Sequence, residues 1–73
     1  MNNIASERVR MRLSQGDLAE EMGVSRDVIR AWESEKTKMK VQDAIQLCDL
    51  FGCSLDYLMG RTDARLPYAV LIA

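Results

Sequence analysis

Apolar residues recur every three or four positions along the chain, and capping residues interrupt the repeat at short intervals. Ile4 and Met11 stand seven apart on one face, with Ala5 and Val9 four apart beside them and Asn3 ahead as a cap, which predicts a helix over residues 3–12. Ser14 then offers an N-cap hydroxyl, and Asp17 a carboxylate for the reciprocal bond, before Leu18, Ala19 and Met22. Gly23 suits the left-handed conformation that ends this second helix, and Ser25 caps a third with Asp27 near its positive end. Helix three turns Val28, Ile29 and Trp32 inward and should stop near Glu33–Glu35, because the following EKTKMK has no apolar period. Val41, Ala44, Ile45, Cys48 and Phe51 form the stripe of a fourth helix closed by Gly52. Ser54 caps a short fifth helix in which Leu55 and Leu58 are expected to face the core, and Gly60 ends it. Five helices and no internal strand predict an all-α domain.

Composition narrows what such a domain can do. Seventy-three residues make one small domain, and 48% hydrophobic with 29% charged residues and a single proline is the balance of a compact globule. The aromatic residues are Trp32, Phe51, Tyr57 and Tyr68, too few for a stacking platform that would hold single-stranded nucleic acid. There is no histidine, and Cys48 and Cys53 have no second pair, so no common zinc spacing and no histidine-based catalysis can be assembled. With no Gly-rich phosphate loop either, we expect no enzyme, no metal and no cofactor, and no small-molecule ligand is evident. The two cysteines and five methionines are expected to be packing material. The start, MNNIASER, lacks a signal pattern, and PYAVLIA at 67–73 is too short to span a bilayer, so the expected location is cytoplasmic, away from membranes.

The net charge of −1 speaks by itself against a nucleic-acid partner, but its distribution does not. Residues 8–40 carry eight of the ten basic side chains, whereas Asp43, Asp49, Asp56 and Asp63 lie beyond them. A short helix, a tight glycine turn and a second helix within that basic half make a helix-turn-helix arrangement, whose second helix enters a DNA major groove. At about 100° per residue, Arg26, Asp27, Arg30 and Ala31 share the side of helix three opposite Ile29 and Trp32. Arg26 is placed for a bidentate contact to guanine, Asp27 either to accept from cytosine N4 or to orient Arg26, Arg30 to meet a second base or a phosphate, and Ala31 to leave room for a thymine methyl.

The stretches LSQGDLAEEMGVSRDVIRAWE (13–33) and LFGCSLDYLMGRT (50–62) resemble the Cro/cI-type helix-turn-helix family of phage repressors, also called the xenobiotic response element family. The resemblance runs ungapped over residues 4–61. It implies a five-helix, lambda-repressor-like DNA-binding domain at 1–61, with the helix-turn-helix at about 14–33, and leaves 62–73 as a C-terminal extension. It further implies that Gln15, opening helix two, grips a phosphate together with neighbouring backbone amides, a role that helix N-termini favour. Ser25 joins that phosphate set, and Lys36, Lys38 and Lys40 occupy a loop that skirts the DNA backbone in the family. The family's pairing of a helix-one arginine with the glutamate ending the recognition helix corresponds to Arg8 with Glu33. Two places depart from the pattern: many members have glycine where this chain has Glu35, and proline where it has Met39 or Lys40. Gly16 inside helix two costs about 1 kcal/mol relative to alanine.

The extension ends in Tyr68-Ala69-Val70-Leu71-Ile72-Ala73, too apolar to be left in water. Tyr68, Val70, Leu71 and Ile72 are expected to contribute to a homodimer interface, since a palindromic site calls for two copies. The expected function is sequence-specific binding of double-stranded DNA, as a dimeric repressor of a palindromic operator. The alternative is a helix-turn-helix module that binds a protein, such as an antitoxin or an anti-repressor partner.

Overall fold

The structure, a computed structural model, describes residues 1–65 and contains α1 (Ile4–Arg10), α2 (Gln15–Met22), α3 (Arg26–Glu33), α4 (Val41–Phe51) and α5 (Leu55–Leu58). No strand occurs among the described residues, and the architecture is the expected all-α arrangement of five helices. The expected dimer residues Tyr68, Val70, Leu71 and Ile72 lie outside the described residues.

Capping chemistry defines the α2–α3 unit. Ser14 Oγ accepts from the Asp17 N–H at 2.9 Å, and Asp17 Oδ2 accepts from the Ser14 N–H at 2.9 Å, completing the capping box. The Ser14 N–H, and with it the Ser14 hydroxyl, hold the Asp17 carboxyl below the usual range, since both favour its ionised form. Gly23 takes a left-handed φ of 69°, so α2 stops and α3 starts after a minimal turn, with Ser25 Oγ accepting from the Val28 N–H at 3.3 Å. Ile4, Leu18, Ile29, Leu47 and Leu58, one from each helix, are fully buried, and Trp32 and Phe51 pack against them. Cys53 is buried and Cys48 half-buried, both as free thiols. Burial pushes Cys53 up to about 11 and raises Cys48 as well, so little thiolate exists at neutral pH and both act as packing groups.

Several local expectations are corrected. α1 ends at Arg10 rather than residue 12, because Arg12 turns left-handed at φ 60° and the Leu13 N–H closes back on the Arg8 carbonyl at 3.0 Å. Asn3 does not cap with its side chain; its Nδ2 donates to the Tyr57 carbonyl at 2.6 Å, and Asn2 Oδ1 accepts the Ile4 N–H at 3.2 Å instead. Val9 faces solvent. On α4, two apolar stripes overlap, 41–45–48 and 44–47–51, and a single helix packed on one side can bury only one of them fully. The second wins: Ala44, Leu47 and Phe51 are buried, while Val41 is 69% and Ile45 50% exposed. Leu55 likewise stays largely outside, leaving Leu58 as the buried residue of α5.

Candidate nucleic-acid interface

One carboxylate ties the first three helices together. Arg8 on α1 donates from Nε to Glu33 Oε2 at 2.7 Å and from Nη2 to Oε1 at 3.4 Å, and from Nη1 to the Leu13 carbonyl at 2.9 Å. Gln15, at the first position of α2, donates from Nε2 to the same Oε1 at 3.0 Å. The Arg8 and Glu33 side chains keep only 16% and 10% of their surface in water, so the two form a close, largely buried pair, with Gln15 as a third member. The tie stands at the last residue of α3, and Ile29 and Trp32 pin that helix from its inner side. The orientation of its outer face is therefore set by packing and by a polar lock at once.

That outer face carries Arg26, Asp27 and Arg30, all exposed, with Ala31 half-buried beside them. Asp27, expected either to accept from cytosine N4 or to orient Arg26, makes no ion pair with Arg26: its Oδ1 lies 3.7 Å from Arg30 Nη1, one helical turn on. Both partners are well exposed, so the contact is loose. Arg26 has no ion pair among the described residues and reaches back toward α2, forming with Arg8, Ser14, Gln15 and Gly16 the wall of a shallow hollow. Ser25, the cap of α3, is exposed at the turn. The arrangement presents a guanidinium and the free amides of a helix N-terminus on one surface, which suits anionic oxygens and base acceptors alike.

Residues 34–40 run from α3 to α4, with Lys36, Lys38 and Lys40 all exposed. The loop begins with Glu35 in the left-handed region at φ 60°, the Glu35 N–H donating to the Trp32 carbonyl at 3.2 Å and the Lys36 N–H to the Ala31 carbonyl at 3.0 Å. A glycine adopts that conformation without penalty, so the place where the resembled family often has glycine is one that this chain fills with a strained glutamate.

Sequence reasoning missed a second polar centre, which starts from Glu7 on α1. Glu7, 2% exposed, accepts from Arg65 Nη2 at 2.8 Å and from Arg10 Nε at 3.1 Å, while Arg65 Nη2 also donates to the Phe51 carbonyl at 2.6 Å. The Ser54 N–H donates to the Arg65 carbonyl at 2.9 Å. Burial alone would push the Glu7 carboxyl up, but the hydrogen bonds and charges of the two arginines outweigh it and hold the group below its ordinary value. Glu7 in turn raises Arg65, chiefly through their hydrogen bonds. The available clue was positional, since Glu7 falls three residues after Ile4 and four before Met11, on the apolar face of α1.

Among the described residues no helix is long and apolar enough to cross a membrane, and no group of His, Cys, Asp and Glu is arranged to hold a metal ion. A family model described as helix-turn-helix matches residues 4–58 of the chain. No curated protein matches it.

Proposed function

Because the chain belongs to the Cro/C1-type helix-turn-helix family, whose members are DNA-binding regulators, we propose that it is a repressor that occupies a palindromic operator as a homodimer. The observation that carries this reading is the exposed face of α3, held at a defined angle by the Arg8–Glu33–Gln15 tie and by Ile29 and Trp32 beneath it. Arg26 and Arg30 meet base edges in the major groove, Asp27 disfavours binding to phosphates in general, and Ala31 leaves space for a thymine methyl. Gln15 gives one amide hydrogen to Glu33 and keeps a second for a phosphate, beside the first amides of α2 and Ser25 at the turn. Lys36, Lys38 and Lys40 follow the backbone with salt-sensitive contacts that add affinity without selecting sequence.

A two-fold site needs two copies, and the apolar residues 66–73 follow in sequence after Arg65, which Glu7 and Phe51 hold to the core. Exposed Val41 and Ile45 offer further apolar area for a second copy. Repression then follows from occupancy, with no catalytic step. Selection of bound sites from random duplexes at stated salt tests the proposal. A symmetric motif with half-sites about 34 Å apart is the expected result, and a bound pool with no sequence preference would overturn it.

A further inference from the structure

We propose that Gly16 is a positioning residue for Arg26: the bare backbone of the first turn of α2 is the seat on which the Arg26 guanidinium rests, and that seat sets how strictly the chain discriminates one base. The inference rests on the base-reading role proposed above for Arg26. A Cβ on Gly16 would lie 2.8 Å from Arg26 Nη2, 3.5 Å from Nε and 3.6 Å from Cζ. The first distance is closer than non-bonded heavy atoms tolerate, and the group in the way is the tip of a flexible side chain. Alanine at 16 therefore moves the guanidinium and leaves the backbone in place.

Nothing else among the described residues orients Arg26 by charge, because Asp27 lies against Arg30. Glycine is also a poor choice for a helix turn, so α2 carries a residue that weakens it where Arg26 makes use of the missing side chain. An arginine that already rests in one place loses less rotamer freedom on meeting its base, and its fork arrives at a defined angle. A glycine serving instead to admit a phosphate close to the backbone would act on all sequences equally.

The test uses the full chain, a duplex selected from random sequence and its single-base variants, at several salt concentrations, with the wild type, Gly16→Ala, Arg26→Ala and the double variant. Arg26→Ala should lower discrimination at one base pair by about 5- to 150-fold. Gly16→Ala should keep a thermal midpoint at or above that of the wild type and lower discrimination at that same base pair by about fivefold or more. The double variant should discriminate no worse than Arg26→Ala alone, because the seat acts only through its occupant. Unchanged discrimination in Gly16→Ala, a loss that adds to that of Arg26→Ala, or a uniform loss on all duplexes with an altered salt slope would each overturn the seat. Arg26→Ala with no effect at any base would instead remove the base-reading role, and the seat with it.

Discussion

Glu35 and Glu7 are single residues whose surroundings decide their effect. Glu35 holds a φ of 60°, a conformation that costs a residue with a Cβ about 1–2 kcal/mol, and its carboxylate is exposed 3.8 Å from the chain's amino group. Glu35→Gly relieves the strain and adds chain entropy to the unfolded state, so urea unfolding should show a net gain of about 0.5–1 kcal/mol. Glu7 works in the opposite sense, as a buried acid whose folded pKa lies below its ordinary 4.5. Between the lowered value and 4.5 the unfolded chain binds more protons than the folded one, so this contribution is complete above pH 4.5 and is lost as pH falls through the folded value. Glu7→Gln should flatten that acid limb in urea midpoints measured across pH. It should also cost about 1–3 kcal/mol at neutral pH, because it removes the negative charge that Arg10 and Arg65 share and sets an amide NH2 donor among their guanidinium donors.

At the scale of elements, the link between α1, α2 and α3 is the feature on which the interface depends. Arg8→Ala leaves Glu33 with Gln15 as its side-chain partner in a site almost closed to water, and should cost toward the lower end of about 3–5 kcal/mol in chemical denaturation. α2, α3 and α5 were readable from the sequence, because Ser14, Asp17, Gly23, Ser25 and Ser54 are residues whose local chemistry starts or stops a helix whatever surrounds them. α1 and α4 followed from the spacing of their apolar residues. Which side of α4 is buried did not, since Val41–Ile45 and Leu47–Phe51 satisfy the same spacing and only tertiary packing chooses between them. At the interface, Arg8 with Glu33 came through the family resemblance, whereas Gln15 joining them and Arg26 leaning on Gly16 depend on side-chain directions that spacing leaves open. The Arg65–Glu7 contact joins residues 58 apart in sequence, beyond the reach of any local pattern.

For the whole molecule, two groupings of polar residues are assigned different work by the proposal. In the proposed reading Arg26, Arg30 and the lysine-bearing loop meet DNA, while the Glu7–Arg65 centre holds Arg65, the last of the described residues, to the core. If residues 66–73 complete the dimer, deleting them should halve the mass seen by light scattering and weaken binding to a two-half-site duplex more than to a single half-site. An undiminished dimer would assign the interface elsewhere. The central claim is that the outer face of α3 selects DNA sequence, and the most direct measurement is the affinity of the wild type and the Arg26→Ala/Arg30→Ala double variant for a selected duplex and for a scrambled one at fixed salt. The wild type should prefer its selected duplex by about a thousandfold or more, and the double variant should lose most of that preference while still binding both duplexes weakly. A double variant that keeps the full preference would contradict the claim.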